Sequence, residues 1–104
     1  MWFVFPQIAG LGHSSMSRTY AISSLDEARA YLRHTVLGAR LLECARVVAD
    51  SRAPSAEFIF GGIDTQKLRS SMTLFLRASE EPVFQEVLDR YFNGQPDPAT
   101  DQRL

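Results

Sequence analysis

The segment from Ile59 to Phe75, I-F-G-G-I-D-T-Q-K-L-R-S-S-M-T-L-F, constrains the fold of this chain more than any other. Gly61-Gly62 is predicted to stop one short helical turn, and Asp64 to N-cap a longer helix that ends near residue 79. At steps of about 100° per residue, the apolar side chains of this helix fill one broad arc. The helix must therefore bury that arc against other elements of the fold.

Two polar residues of this helix fall inside its apolar arc. Lys67 and Ser71 lie in line with Asp64, and Lys67 is the single lysine in a chain with ten arginines. A lysine on the buried side of a helix needs an acceptor or a pocket, so these three residues form a candidate site for an anionic or sugar-phosphate ligand. The alternative is structural: Asp64 only caps, Lys67 reaches solvent past the core edge, and Ser71 bonds back to a carbonyl.

Helix-capping signals, proline positions and apolar periodicity predict four helices, over residues 24–33, 36–50, 64–79 and 82–92. In the second of these, Val36 and Val47 are predicted to widen the apolar stripe. The residues predicted for the core are Leu37, Leu41, Cys44, Val48, Leu68, Met72, Phe75, Phe84, Val87, Leu88 and Tyr91. No stretch alternates apolar and polar residues over the length of a strand. We therefore predict an all-α, compact single domain of five or six short helices within residues 1–94. Residues 95–104 form a polar, proline-containing tail that we expect to be loosely held.

Composition excludes several classes of function. The net charge of −1 leaves no basic excess to bind nucleic acid, and no apolar run approaches the ~20 residues of a membrane helix. Without a signal peptide, the expected location is the cytoplasm. The single cysteine excludes an internal disulfide and a multi-cysteine metal site. His13 and His34 stand apart from other ligand-type residues, so we expect structural roles for them, with no metal and no cofactor.

The opening run M-W-F-V-F-P is apolar and has no helix start signal. We expect either that it packs within the chain, that an upstream element is missing, or that a second copy covers it. We favour a homodimer through Trp2, Phe3, Val4 and Phe5, because contiguous apolar patches of this size seldom stay exposed. A further possibility is that Trp2, Gln7 and Tyr20 line a ligand pocket, with an aromatic wall for a base and an amide for recognition.

Several motifs together resemble one known family. They are M-W-F-V-F-P-Q, S-M-S-R-T-Y-A-I, A-R-A-Y-L-R-H-x-x-L-G-x-R-L, I-F-G-G-x-D-x-x-K-L-R-S-S-M-T-L-F and P-V-F-Q-x-V-L-D-R-Y-F-x-G-x-P-D. Over essentially its whole length, the chain looks like a small bacterial all-helical family of unknown function, some of whose members are labelled calpastatin without obvious basis. The resemblance implies an α-helical single domain and brings no established activity.

Two features of the resemblance bear on the candidate site. Members of that family carry a further helix before the tryptophan segment, which is missing here, and Thr35 stands where proline is expected. The family is also remotely similar in helical plan to the NADAR group, which is linked to NAD and ADP-ribose chemistry.

Two functions of different classes therefore stay open. The first is a pocket that binds, or processes, an ADP-ribose-like or nucleotide-derived ligand through Trp2, Gln7, Tyr20, Lys67 and Ser71, with Asp64 orienting the lysine. The second is a non-enzymatic interaction module that uses an exposed apolar N-terminal face. No residue pattern names a reaction, so catalytic residues are not assigned and the sequence leaves open whether the protein is an enzyme.

Overall fold

Helices make up the architecture of the computed structural model, which describes residues 5–9, 21–51 and 55–104. Five helices lie in these ranges: α1 (Leu25–Arg33), α2 (Leu37–Asp50), α3 (Ala56–Ala78), α4 (Pro82–Tyr91) and α5 (Pro98–Gln102). The described residues form no strand, and extended backbone pairs only in an isolated parallel bridge between Ile8 and Ile22. The predicted all-α fold is confirmed. In the same ranges, no helix is both long enough and apolar enough to cross a membrane.

Local capping explains where the helices begin and end. The Ser24 hydroxyl accepts a hydrogen bond from the backbone N–H of Glu27 at the start of α1, and the Glu27 carboxylate accepts one from the Ser23 N–H at 2.9 Å. Hydrogen bonds from Ser23 also lower the pKa of Glu27, so this carboxylate stays charged next to the positive end of the helix. At the other end of the chain, Asn93 and Gly94 adopt positive φ angles and terminate α4.

The core of the protein is organised around α3, which packs against α1, α4 and α5, while α2 packs against α1 and α4. The Phe75 ring contacts two other rings, with centroid distances of 5.6 Å to Tyr31 and 5.8 Å to Phe84. The predicted core residues that are fully or almost fully buried are Leu41, Val48, Leu68, Met72, Phe75, Phe84, Val87 and Leu88.

The buried stripe of α2 is narrower than its sequence predicts. Val36 and Val47, expected to widen the stripe, are 55% and 66% exposed. The reason is that, among the described elements, α2 packs against α1 and α4, whose combined surface covers Leu41, Ala45 and Val48 and extends little further. Of the other residues predicted for the core, Cys44 and Tyr91 are half-buried at its edge, and Leu37 is half-buried outside it.

The described part of the N-terminal segment packs on the chain itself. Phe5 is 4% exposed and Ile8 is 3% exposed, and both belong to the same apolar cluster as the buried residues of α3. Phe5 therefore cannot contribute to the expected exposed dimer face, which corrects that part of the prediction. The other residues assigned to the face, Trp2, Phe3 and Val4, lie outside the described residues.

A break at Gly61 divides α3 into two helical pieces. Gly61 has φ 78° and ψ 170°, a backbone conformation that is essentially restricted to glycine. The predicted stop at this position is therefore correct, although the second piece begins before Asp64. Asp64 lies inside the first turn and does not act as the N-cap, which corrects that assignment.

The C-terminal tail is not loosely held, contrary to our expectation. Residues 95–104 include α5 and pack along the polar side of α3; we call them the C-terminal clasp. The Arg69 guanidinium donates to the carbonyl oxygens of Gln95 and Pro96 at 3.1 and 3.0 Å. Arg77 forms a two-point ion pair with Asp101, with both hydrogen bonds at 3.0 Å. Because these polar contacts join residues far apart in the sequence, the polarity of the tail alone does not predict them.

Asp97 is the hub of the clasp. Its carboxylate accepts hydrogen bonds from the Ser70 hydroxyl at 3.0 Å and from the Thr100 hydroxyl at 2.7 Å. Its backbone N–H donates to the Thr73 hydroxyl at 2.8 Å. Ser70, Thr73 and Thr100 are buried, so the side of α3 that the sequence assigns to solvent is covered by the clasp.

Replacement of Gly61 and of Gly62 by alanine should change the stability of the protein in opposite directions. Gly61→Ala should lower the free energy of unfolding by about 1–3 kcal/mol, because alanine disfavours the observed φ and ψ. Gly62→Ala should raise it by about 0.5–1 kcal/mol, since Gly62 is helical and a Cβ there meets open space. Urea denaturation of both variants measures the difference. Equal effects would contradict the described backbone at Gly61.

Removing the hub of the clasp should destabilise the whole protein. Asp97→Ala removes a helix N-cap and the acceptor of the buried Thr100 hydroxyl, and it leaves the Ser70 hydroxyl with the Gln66 carbonyl as its acceptor, for a loss of about 2–3 kcal/mol. Glu43→Ala, which removes an exposed acidic side chain from α2, is the control and should change stability by less than about 0.5 kcal/mol. Similar urea midpoints for the two variants would show that the clasp contributes nothing.

Candidate functional site

Asp64 and Lys67 form an ion pair on the first complete turn of the second piece of α3. The Lys67 ammonium nitrogen lies 3.5 Å from the Asp64 carboxylate, as expected for an i, i+3 pair on one helix face. Asp64 is near the positive end of this helical piece, where a carboxylate is favoured. The pair thus fixes the direction in which the lysine side chain extends.

Lys67 is the least exposed of the paired basic side chains. Its side chain is 18% exposed, whereas Arg29, Arg46 and Arg77, which also form ion pairs, have side-chain exposures between 43% and 46%. The prediction that Lys67 lies partly inside the fold agrees with this geometry. An ammonium held in such surroundings interacts with an anion more strongly than one in bulk water.

Ser71, one helical turn after Lys67, is fully buried. Its hydroxyl oxygen has no hydrogen-bond partner among the residues that the structure describes. A buried hydroxyl without a partner costs about 1–3 kcal/mol of stability, which makes the Ser71 side chain an energetic exception in this part of the molecule.

The other hydroxyl side chains along α3 show that this exception is not imposed by the helix. Thr65, Ser70, Thr73 and, just after the helix, Ser79 each donate to the carbonyl oxygen four residues earlier, at 2.6–3.0 Å. The structural alternative for Ser71 predicts the same hydrogen bond to a helix carbonyl, and the Ser71 hydroxyl does not make it. Its hydroxyl therefore remains available to another partner.

The remaining predicted site residues lie on the N-terminal part of the chain. Gln7 is half-buried, and its backbone carbonyl accepts from the Ile22 N–H at 2.8 Å, so the Ile8–Ile22 bridge holds this segment in place. Trp2 and Tyr20 lie outside the described residues. The structure thus brings Asp64, Lys67 and Ser71 onto one row of α3, and the inclusion of Gln7, Trp2 and Tyr20 in the same site stays a prediction.

The described histidine has a structural role. His34 Nδ1 accepts hydrogen bonds from the backbone N–H groups of Val36 and Leu37, at 3.2 and 3.1 Å, and so caps the start of α2. The structural role expected of His34 is therefore that of an acceptor for backbone amide groups. His13 lies outside the described residues. Within those residues, no three His, Cys, Asp or Glu side chains are grouped as metal ligands would be.

Two open clefts lie away from the Asp64–Lys67–Ser71 row. One, of about 370 Å³, lies between α1, α2 and the α3–α4 junction and is lined by Arg29, Leu32, Arg33, Leu42, Ala78, Ser79 and Glu81. The other, of about 310 Å³, lies between α2 and α4. In the second cleft Arg46 is already paired with Asp50 and Glu86, so its charges stabilise the helix contact. Sequence reasoning predicted neither cleft, because each is assembled from separate helices.

Fold and site together define a small all-α protein with a partly buried polar row on its central helix. The family model described as "Protein of unknown function (DUF1810)" matches residues 1–104, and the chain belongs to this family. The crystal structure of a conserved hypothetical protein from Mycobacterium tuberculosis is similar, with a TM-score of 0.96 and 49% sequence identity. The match covers 99% of this chain and 74% of that chain. No curated protein matches the chain.

The two adjacent serines of α3 should respond in opposite ways to replacement by alanine. Ser71→Ala removes a buried hydroxyl that has no partner among the described residues and should raise the free energy of unfolding by up to about 1 kcal/mol. Ser70→Ala breaks the hydrogen bond to Asp97 and should lower it by about 1–2 kcal/mol. Urea denaturation of both variants tests this contrast. A loss at Ser71 as large as that at Ser70 would show that Ser71 has a structural partner.

Proposed function

We propose that this protein binds a small anionic ligand at the Asp64–Lys67–Ser71 row of α3, and that the ligand is ADP-ribose-like or nucleotide-derived. The observation that carries the proposal is the fully buried Ser71 hydroxyl, which has no hydrogen-bond partner in the described part of the chain. A ligand oxygen that pairs with this hydroxyl would remove the energetic penalty of the free protein.

The charge of the ligand follows from Lys67. An ammonium group carries three donors and can bind more than one acceptor at a time, and the Asp64 carboxylate lies 3.5 Å away. Asp64 orients the lysine but also makes the row nearly neutral overall. A ligand with a phosphate group would still bind strongly to this row, since phosphate oxygens accept hydrogen bonds from the ammonium and from the hydroxyl.

The nucleotide-like class rests on the residues of the N-terminal segment and on the remote similarity in helical plan between the family and the NADAR group. The Gln7 amide offers a donor and an acceptor for a base or ribose, and Trp2 offers a stacking surface. Similarity of helical plan does not itself transfer a function, so the ligand class requires a direct test. We propose binding and assign no reaction, because a serine nucleophile needs a hydrogen-bonded base and the Ser71 hydroxyl has none among the described residues.

A thermal-shift series tests both the site and the ligand class. ADP-ribose, NAD, AMP, ribose 5-phosphate and inorganic phosphate are compared on the intact chain. A ligand at 100 times its Kd should stabilise the protein by about 2.7 kcal/mol. Lys67→Met should abolish this stabilisation while the variant stays folded, because methionine keeps the apolar stem and removes the ammonium.

Arg103→Gln is the matched control, since it also removes one positive charge but from an exposed residue of the clasp. It should retain the full response to the ligand. Stabilisation by phosphate alone, equal to that by ADP-ribose, would reject the nucleotide-like class and keep an anion site. A response that survives in Lys67→Met, or a lack of response to the whole series, would reject the site.

A further inference from the structure

We propose a second binding site, for a small monocarboxylate with an apolar body, in the cleft between α1, α2 and the α3–α4 junction. The cleft has a volume of about 370 Å³, within the range of roughly 300–1,000 Å³ that small-molecule pockets occupy. Its lining includes Ala78 and Ser79, which lie at the C-terminal end of α3, about three helical turns beyond Lys67. The inference is therefore independent of the proposed function.

Two arginines supply the positive charge of this cleft. Arg29 and Arg33 are one helical turn apart on α1 and both line the cleft. Arg33 is exposed and makes no hydrogen bond or ion pair with the residues that the structure describes. Arg29 pairs with Asp26 at 3.1 Å, but the Asp26 side chain is 95% exposed, and a surface pair of this kind holds the arginine only weakly.

The apolar part of the lining determines what the ligand carries besides its charge. Leu32 and Leu42 are half-buried, and Ala78 is 7% exposed, so carbon atoms of three helices face the cleft between the arginines and the α3–α4 junction. A hydrocarbon chain or ring placed there would release water from these surfaces. The planar guanidinium groups of the two arginines match the geometry of a carboxylate, which can accept two parallel hydrogen bonds from one guanidinium.

Glu81 distinguishes a carboxylate from a more highly charged ligand. It lines the same cleft at the start of α4, is exposed, and makes no side-chain capping hydrogen bond. Two arginines and one glutamate leave the lining with a single net positive charge. A monoanion neutralises this charge, so the lining has no positive charge left for a second negative charge, and a phosphate, which has no apolar body, gains nothing from the carbon lining. The cleft therefore favours an apolar monocarboxylate over phosphate.

An NMR titration of the intact, ¹⁵N-labelled chain with hexanoate tests the site, with hexanol, hexylamine and inorganic phosphate as comparison probes. Hexanoate should shift the amide signals of residues 29–33 and 78–81 in a saturable manner, with a Kd on the order of 1 mM for a ligand of this size. Hexanol, hexylamine and phosphate should produce no saturable shifts at these positions.

Two variants locate the carboxylate. Arg33→Gln should weaken hexanoate binding about tenfold, as expected for the loss of a charge-assisted hydrogen bond, while Arg103→Gln should leave it unchanged. Each of three results would overturn the proposal: equal hexanoate affinity in Arg33→Gln, shifts scattered over the molecule, or saturation by phosphate at the same residues. The Lys67→Met variant should bind hexanoate normally, so failure of this site and of the row on α3 can be told apart.

Discussion

Burial of α3 from both sides is the constraint on which the rest of the structure depends. Leu68, Met72 and Phe75 face the apolar core and are fully buried, while Ser70 and Thr73 are buried on the other side under the C-terminal clasp. A helix covered in this way cannot use water to satisfy its polar side chains. The other hydroxyl groups donate to helix carbonyl groups or bond to the clasp in place of water. The Ser71 hydroxyl is significant because it has no such partner among the described residues.

The clasp illustrates how polar contacts specify a docking register. An apolar segment could slide along a helix at little cost, whereas Asp97 must meet Ser70 and Thr73 while Arg77 meets Asp101. Arg69 adds a further constraint, because its guanidinium reaches two consecutive carbonyl groups. These contacts join residues 24–27 positions apart in sequence, so the C-terminal end of the chain is part of the same cooperative unit as the core.

Most of the fold was predictable because helix ends and apolar periodicity are local signals: the Ser24 cap, Pro82 at the first turn of α4, and the break at Gly61 are all present. The prediction failed where the deciding contact is distant. Ser70 and Thr73 look solvent-facing until the clasp covers them, although Asp97-Pro98 is itself an N-cap followed by a first-turn proline and could have indicated α5.

For the site, spacing alone predicted the Asp64–Lys67 pair. The lack of a partner for Ser71 among the described residues, and the cleft between α1, α2 and the α3–α4 junction, depend on the packing of several elements and could not be predicted from spacing.

The two proposed sites select different anions because lysine and arginine present their charge differently. Lys67 offers a compact ammonium on a partly buried stem one helical turn before the Ser71 hydroxyl, which suits the several oxygens of a phosphate group. Arg29 and Arg33 offer planar guanidinium groups next to partly buried carbon surface, which suits a flat carboxylate attached to an apolar body. Desolvation strengthens the first contact and solvent screens the second. Binding at the α3 row should therefore depend less on salt concentration than binding in the cleft, even though a phosphate carries the larger charge.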